Sequence, residues 1–380
     1  MERTVCFCNS ARAWGGGEKW HLEAALAMAK RGCAVSVMAG EGTALFERAR
    51  RFPELSVCAR RFSGLDFLNP FALGNCAAFF RQNGIQRVVL GLPADLKAAG
   101  LAARRAGVPG IWYRRGSALP VRNSALNRYL YGRVLTGLIV NSRETERLVF
   151  ADNASIMDAG KVHVLYNGLD AAAFDRTYDG AVPSFRQGGE LVIGNAGRLT
   201  TQKGQQYLLH MSRCLLDAGF AHRLVIAGDG ERRAELEGLA ASLGLGETVV
   251  FAGFMDDMGS FWRSIDMFVL SSLWEGFGYV LAEAGLAGKP VVAFDGNSMP
   301  EVVENGETGM LVEPPLPGES GQSVGKRLAE TVAALAANAG GMARLGKNGR
   351  AFCRETFDQE RRMDDLYALL WQKETTDHGA

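Results

Sequence analysis

Short apolar segments alternate with longer amphipathic segments along most of the chain. The apolar segments are rich in valine, isoleucine and leucine, as in strands that are buried on both faces of a parallel sheet. We predict strands at residues 4–8, 34–39, 87–90, 110–113, 138–141, 162–166, 191–196, 224–227, 249–251, 267–270 and 290–293. We predict helices at residues 17–31, 205–219, 231–243, 278–288, 324–337 and 358–371. This alternation predicts an α/β fold built on parallel sheets.

The length of the chain favours two domains. Its 380 residues exceed what one hydrophobic core normally supports. A turn-rich stretch at residues 167–190, which contains Pro183, Gly188 and Gly189, interrupts the alternation. We therefore expect a linker there, with the same α/β architecture on both sides of it.

The net charge of +1 conceals an asymmetry between the two halves. Residues 1–180 contain 24 Lys and Arg against 15 Asp and Glu, a net charge of +9, whereas residues 181–380 contain 18 against 26, a net charge of −8. A basic half fits an anionic partner, such as a phospholipid surface or a phosphorylated acceptor. Scattered, solvated arginines are the alternative explanation.

The chain lacks the signals of a membrane-spanning or secreted protein. No apolar segment is long enough to cross a bilayer, and the first residues lack the basic-then-apolar order of a signal peptide. The seven cysteines form no CxxC pair, which fits free thiols in a reducing cytoplasm. Cys6 and Cys8 lie on a predicted strand without further ligands nearby, so we favour core thiols over a metal site.

Two glycine-bearing junctions between a strand and a helix are candidate anion sites. At Gly15–Gly17, backbone N–H groups can approach an anion at a helix N-terminus, although a simple tight turn remains the alternative. The junction is not a GxGxxG motif, and no acidic residue ends the second strand, which argues against a dinucleotide dehydrogenase. The second junction contains Arg198 and Lys203, two cations five residues apart, and predicts a diphosphate clamp. It does not have the order of a P-loop.

A third junction, residues 271–283, contains Glu275 and Glu283. Glycosidase carboxylates lie about 5–5.5 Å apart in retaining enzymes and about 6.5–9.5 Å apart in inverting ones. Eight residues along a turn and a helix are expected to exceed both separations. The two glutamates are therefore expected to bind opposite ends of one elongated ligand whose middle is a diphosphate.

Together these motifs resemble the donor site of the family-4 (group 1) retaining glycosyltransferases. Further matching segments run through nearly the whole chain, at residues 16–17, 140–142, 164–170, 227–230, 289–292 and 301–309. The resemblance implies a GT-B fold, in which two Rossmann-like domains face each other across a cleft. It implies an acceptor domain at residues 1–180, a nucleotide-sugar donor domain at residues 190–355, and a C-terminal helix at residues 356–375 that packs back on the first domain.

The resemblance also implies residue roles. Arg198 and Lys203 would bind the donor diphosphate and stabilise charge on the leaving nucleotide, and Glu275, the third catalytic candidate, would contact the transferred sugar. Glu283 would bind the ribose hydroxyls. The donor-binding candidates are Gly16, Gly17, Gly197, Gly228, Gly253, Phe254, Gly276, Phe277, Gly278 and Glu283. The acceptor-side candidates are Arg114, Arg115 and Glu18.

One segment departs from the family pattern. The family usually has a histidine on the loop after a strand such as residues 110–113, and this chain has Arg114 and Arg115 there. An arginine could bind an anionic acceptor or a carboxylated sugar, or reshape the pocket. This departure leaves the identity of the sugar open.

We expect no metal and no cofactor. The chain has no DxD triplet, and two cations with a helix N-terminus can neutralise a leaving diphosphate. The co-substrate would be a nucleotide-diphosphate sugar of the UDP or GDP type.

The sequence thus predicts a transferase that retains anomeric configuration and acts in lipopolysaccharide or other cell-envelope glycan synthesis. Its partners would be a glycan or glycolipid acceptor and the anionic inner face of the cytoplasmic membrane, without nucleic acid. The alternatives are a GT-B nucleotide-sugar epimerase and a non-catalytic nucleotide-sugar-binding subunit. Product analysis separates them, because an epimerase converts its donor without an acceptor.

Overall fold

Two parallel sheets organise the chain, one in each of two compact units. The computed structural model describes residues 2–177, 185–186 and 188–371. Unit 1 comprises the described residues up to Gly168 and those from Glu360 onward, and unit 2 comprises the described residues between Leu169 and Gln359. Both units are α/β, as the alternating sequence pattern predicts.

Unit 1 contains a seven-stranded sheet with the order β3-β2-β1-β4-β5-β6-β7. The strands are β1 (Thr4–Asn9), β2 (Ala34–Ala39), β3 (Leu55–Ala59), β4 (Arg87–Leu90), β5 (Gly110–Arg115), β6 (Gly137–Val140) and β7 (Val162–Val164). The helices of its continuous part are α1 (Gly16–Lys30), α2 (Ala44–Ala49), α3 (Pro70–Gln82), α4 (Pro93–Asp95), α5 (Leu101–Ala106), α6 (Ala125–Tyr129) and α7 (Arg143–Phe150). Shorter 3₁₀ or π segments lie at Asp66–Leu68, Leu96–Gly100, Leu130–Val134 and Ala159–Lys161.

Unit 2 contains a six-stranded sheet with the order β10-β9-β8-β11-β12-β13. The strands are β8 (Leu191–Ala196), β9 (His222–Ala227), β10 (Val249–Gly253), β11 (Met267–Leu270), β12 (Val291–Phe294) and β13 (Gly309–Val312). The helices are α8 (Ala171–Arg176), α9 (Gln205–Asp217), α10 (Arg233–Ser242), α11 (Met258–Ser264), α12 (Tyr279–Leu286), α13 (Gly321–Ala336) and α14 (Ala339–Thr356), with 3₁₀ turns at Thr201–Lys203 and Met299–Glu301. The last helix, α15 (Gln359–Trp371), returns to unit 1.

Helix α15 is fastened to unit 1 by its apolar face. Its side chains Met363, Leu366 and Leu370 are buried in the same cluster as residues of α1, β1 and β2. On its polar face Asp364 accepts a hydrogen bond from Arg31 Nη2 at 2.6 Å. Of the C-terminal helix expected at residues 356–375, residues 372–375 lie outside the described residues.

The chain passes from unit 1 to unit 2 between Gly168 and Leu169. Leu169 N–H donates to Phe357 O at 2.7 Å, and the following helix α8 is held by ion pairs from Arg350 and Arg354 to Asp175. These contacts group residues 169–177 with unit 2, whereas the family resemblance implies a first domain that extends to residue 180. Residues 178–184 and 187 of the expected linker lie outside the described residues.

In each sheet the strand order reverses once. The reversal lies between β1 and β4 in unit 1 and between β8 and β11 in unit 2. Open parallel sheets bind ligands at the carboxyl ends of the strands that flank such a point. The predicted glycine-bearing junctions follow β1, β8 and β11, so they lie at these two positions.

Candidate functional site

Two loops meet at the strand-order reversal of unit 2, and together we call them the unit 2 site. One is Gly197–Gly204, after β8, and the other is Ser271–Gly278, after β11. Three hydrogen bonds join them: Ser271 Oγ to Lys203 O at 3.0 Å, Leu273 N to Gln202 O at 2.7 Å, and Gln202 Nε2 to Trp274 O at 2.8 Å. The loops therefore form one structural element although about 70 residues separate them in the chain.

The site contains a shielded ion pair. Lys203 Nζ lies 2.5 Å from Glu275 Oε1, and their side chains are only 16% and 8% exposed. Ser272 Oγ donates to the same carboxylate oxygen at 2.7 Å, and Ser298 Oγ donates to Glu275 O at 3.0 Å. A partly desolvated pair keeps more of its Coulomb energy than a surface pair, so both side chains are held in one orientation.

A second cation, Arg198, lies in the Gly197–Gly204 loop together with Lys203. The Arg198 side chain is exposed and forms no ion pair or hydrogen bond with any described residue. Its backbone is fixed, because Gln205 Nε2 donates to Arg198 O at 3.0 Å and Gln205 is fully buried. Arg198 therefore presents a positive charge that an anion can approach.

Glycines allow the backbone to pack closely around these charges. Gly228 has a φ of +133°, and a Cβ there would lie 2.0 Å from Gly197 O. Gly204 precedes α9 and Gly278 precedes α12, both with positive φ, and neither helix has a side-chain cap. Neither Gly204 nor Gly278 has a side chain that could cap its helix, and a helix N-terminus attracts anions.

The remaining donor candidates lie around the same edge of the sheet. Glu283 is half-buried in the second turn of α12. The Phe277 ring is buried 5.1 Å from the ring of Phe357, so this residue and its neighbour Gly276 can offer a ligand only backbone groups. Gly253 ends β10 and accepts a hydrogen bond from Gly228 N at 2.7 Å, whereas the Phe254 side chain is 77% exposed.

In unit 1, Gly16 and Gly17 begin α1, the helix that follows β1 after a short loop. His21, one turn later, is buried, and its Nδ1 lies 3.0 Å from Gly17 O. Burial lowers the pKa of His21 to about 3, so the ring is neutral at physiological pH. Glu18 is half-buried, and its Oε1 accepts a hydrogen bond from Asn9 Nδ2 at 3.4 Å.

The two arginines at the end of β5 have different surroundings. Arg114 is buried, lies 5.0 Å over the Trp20 ring and donates to Asn167 Oδ1 at 2.8 Å. A Cβ on Gly17 would lie 3.8 Å from Arg114 Nη1. Arg115 instead donates to Leu119 O. Of the two predicted acceptor-side arginines, only Arg114 adjoins Gly17, because successive side chains of a strand point to opposite faces.

Some residues of these sites were not singled out from the sequence. Asp95, in α4 after β4, accepts hydrogen bonds from Ser10 N at 3.2 Å and Leu92 N at 2.9 Å, and burial raises the pKa of its carboxyl to about 7. An aspartate three residues into a helix that follows a strand is the signal that could have identified it. Ser298 has no such signal, because it lies 23 residues beyond the glutamate it binds.

The structure also bears on the metal and membrane expectations. Among the described residues, no group of three or more His, Cys, Asp or Glu side chains is arranged to hold a metal ion. Cys6 and Cys8 are buried core thiols. In the described part of the chain, no helix has the length and apolar character needed to cross a bilayer.

Two family models match the sequence in succession. The first, described as glycosyltransferase family 4, matches residues 14–173. The second, described as glycosyl transferases group 1, matches residues 182–352. Together they cover most of the chain.

Individual relatives match over shorter segments. The uncharacterized glycosyltransferase MJ1607 of Methanocaldococcus jannaschii is 36% identical over 179 residues, which is 45% of this chain and 45% of the relative. The lipopolysaccharide core biosynthesis glycosyltransferase LpsE of Rhizobium meliloti is 32% identical over 144 residues, 35% of this chain and 42% of the relative. The matched segments thus span less than half the length of either relative.

A solved structure matches nearly the whole chain. It is HepE of Anabaena in complex with UDP and glucose, with a TM-score of 0.79 and 22% identity. The match covers 97% of this chain and 99% of that one. At this identity the likeness establishes the fold.

Proposed function

Because the chain belongs to the group 1 glycosyltransferases and has their GT-B fold, we propose that it transfers a sugar from a nucleotide-diphosphate sugar to a glycan or glycolipid acceptor. The observation that carries this proposal is the unit 2 site, where exposed Arg198 lies in the same loop as Lys203, which forms a shielded ion pair with Glu275 of the second loop. The resemblance to the retaining enzymes of the family also supports a transfer that retains anomeric configuration.

In this proposal the donor diphosphate binds at Arg198, Lys203 and the N-terminus of α12. Positive side chains and helix N-terminal N–H groups stabilise the charge that develops on a leaving nucleoside diphosphate. Lys203 and the loop that leads into α12 are preorganised, because Lys203 is oriented by Glu275 and the two loops are hydrogen-bonded to each other. The reaction then needs no divalent metal.

The two glutamates have different roles in the proposal. Glu283 lies eight residues beyond Glu275 and within α12, and we assign it to the ribose hydroxyls. Glu275 contacts the transferred sugar, with backbone groups of residues 276–278 beside it. Gly253 and Phe254, at the end of β10, border the base.

We favour UDP over GDP as the nucleotide. The support is HepE, which has the same fold and was crystallised with UDP and with glucose.

The acceptor is proposed to be an intermediate of lipopolysaccharide or another cell-envelope glycan. The support is the similarity to LpsE and the basic first half of the chain. Within unit 1 we assign Arg114 and Glu18 to recognition of acceptor or sugar. Arg115 donates to a backbone carbonyl and has a structural role in this proposal.

We also propose that unit 1 contacts the inner face of the cytoplasmic membrane. Leu65, Leu68 and Phe71 are 71%, 68% and 81% exposed and follow one another at intervals of three residues. They precede and begin α3, in a half of the chain with a net charge of +9. Exposed apolar side chains in a half of the chain with a net positive charge favour contact with anionic lipid.

The experiment follows radiolabelled sugar from a panel of UDP- and GDP-sugars into a bacterial lipid and lipopolysaccharide fraction, in EDTA. Wild type should label the fraction. E283Q should raise the donor KM about tenfold with a smaller change in kcat, and E275Q should lower kcat about 10- to 100-fold, as expected for charged hydrogen-bond partners.

The control is E307Q, which removes an exposed carboxylate elsewhere in unit 2 and should leave both constants unchanged. Activity of E275Q and E283Q equal to wild type would refute the assigned roles. Loss of transfer in EDTA that magnesium restores would refute metal independence. Conversion of the donor without an acceptor would identify an epimerase.

A further inference from the structure

Unit 1 has a pocket at the edge of its sheet opposite to Gly17. The pocket has a volume of about 700 Å³, and its floor is formed by the first residues of parallel strands: Arg87 of β4, Gly110 of β5 and residues just before β6 and β7. Leu369 and Leu370 of α15 complete its wall. Because β5 has 6 residues and a strand rises about 3.3 Å per residue, the two edges of the sheet are about 17 Å apart.

The lining is basic. It includes Arg87, Arg104, Arg133 and Lys161, and none of the described lining residues is an aspartate or a glutamate. Arg104, Arg133 and Lys161 are exposed and form no ion pair with a described residue. Mutual repulsion of cations gathered around one cavity costs free energy, and an anion in the cavity would remove that cost.

Part of the basic lining is held in place by the backbone. Arg87 Nε donates to Leu370 O at 2.6 Å and its Nη1 to Gln86 O at 3.0 Å. Arg104 donates to the backbone carbonyl of Arg133, which anchors the Arg104 guanidinium. Such fixed guanidinium groups lose little side-chain entropy when an anion binds.

Aromatic rings form another part of the wall. Trp112 and His163 are ring neighbours at 5.7 Å, and Trp112 is 8% exposed. The Trp112 Nε1 has no hydrogen-bond partner among the described residues. A Cβ on Gly137 would lie 2.2 Å from the Trp112 ring, and one on Gly110 would lie 2.1 Å from Arg87 Cδ. These glycines make room for both side chains, so the cavity is a defined feature of the fold.

We propose that this pocket binds an organic phosphate of the size of a nucleotide or a sugar bisphosphate. The volume lies within the range of small-molecule sites, about 300–1,000 Å³. Arginine forks bind phosphate oxygens in pairs, and aromatic walls suit the rest of such a molecule. This ligand is distinct from the sugar donor, and its binding does not depend on the proposed function. Because α15 forms one wall, the ligand would also stabilise the attachment of α15 to unit 1.

The test is ¹⁹F NMR of the full chain labelled with 5-fluorotryptophan, which gives one resonance for each of the 6 tryptophans. The probe is glucose 1,6-bisphosphate. The Trp112 resonance, assigned with W112F and independently by its shift in H163Q, should move saturably. Trp274 is next to Glu275, so its resonance reports separately on the unit 2 site and keeps the two sites distinguishable.

The decisive variants are a matched pair on α5. R104Q removes a cation that lines the pocket, and R105Q removes an exposed cation beside it that does not. R104Q should weaken binding about tenfold, as expected for one charge-assisted hydrogen bond, and R105Q should leave it unchanged. A Trp112 resonance that does not move at millimolar probe, or equal weakening by both variants, would overturn the proposal.

Discussion

At the scale of single residues, Gly204 connects the two loops of the unit 2 site. It adopts a φ of +60°, and a Cβ there would lie 2.2 Å from Ser271 O. Gly219, just past the other end of α9, has a similar φ of +73° but nothing within 4 Å of a Cβ. An alanine at either position would adopt a strained left-handed conformation, and only at Gly204 would its Cβ also clash with Ser271 O.

We predict that G219A lowers the free energy of unfolding by about 1 kcal/mol, the usual cost of a left-handed conformation for alanine. G204A should cost at least about 2 kcal/mol more, because the β11 loop must move away. Chemical denaturation measures both costs. UDP affinity should fall in G204A and stay unchanged in G219A. Equal effects of the two variants on stability and on UDP affinity would mean that the loop contact is unimportant.

The proximity of the loops that contain Arg198 and Glu275 follows from the predicted order of strands and helices. Arg198 and Glu275 follow two strands that are neighbours in a parallel sheet, and the carboxyl ends of such strands share one edge. The partners that orient Glu275 and Arg114 were not predictable from the sequence. Ser298 and Asn167 reach their partners across 23 and 53 residues, and no local pattern specifies such contacts.

At the scale of secondary-structure elements, continuous apolar runs in the sequence predict the central strands of both sheets. The strands predicted at residues 87–90, 191–196 and 267–270 have those bounds in the structure. Strand β3 was missed because it lies at the sheet edge and is half-exposed, so its sequence lacks a continuous apolar run. Buried strands have a composition signal that edge strands do not have.

Helix α14 was missed for a different reason. Its glycines lower its helix propensity, yet they are needed for tertiary packing. A Cβ on Gly346 would lie 2.1 Å from Gly288 O, and one on Gly285 of α12 would lie 2.4 Å from Cys353 Sγ. Close packing of α12 on α14 therefore outweighs local propensity, and this effect is invisible in the sequence of either helix alone.

The exposed apolar segment at residues 65–71, which leads into α3, is predicted to contact the membrane. The double variant L68S/F71S removes two of its three exposed apolar side chains and should reduce sedimentation with phosphatidylglycerol-rich vesicles about tenfold or more. L316S, which removes an exposed apolar side chain from unit 2, should leave sedimentation unchanged. Phosphatidylcholine vesicles should bind weakly in every case. The membrane proposal fails if the double variant binds anionic vesicles as well as wild type does.

At the scale of the whole molecule, the sequence predicts two α/β units of the GT-B class, and this prediction is confirmed by the two parallel sheets and by the match to HepE. The periodicity of the chain accounts for the parallel α/β units, because alternating strands and helices have few packing solutions. The GT-B class is implied by the resemblance of the motifs to the glycosyltransferase family. The boundary between the units was less predictable. It depends on contacts of residues 169–177 with α14 and the residues after it, which lie far along the chain.

In the proposed function, unit 2 binds a nucleoside diphosphate through its own cations. Calorimetric titration of UDP, GDP, ADP and CMP into the purified protein in EDTA examines this binding without an acceptor or a sugar. We predict that UDP binds, and that R198A weakens its binding about tenfold or more through loss of a charged hydrogen-bond donor. The control R344A, in an exposed pair elsewhere in unit 2, should bind UDP as wild type does. Absence of binding by all four nucleotides, or equal UDP affinity in wild type and R198A, would refute binding of a nucleoside diphosphate through Arg198.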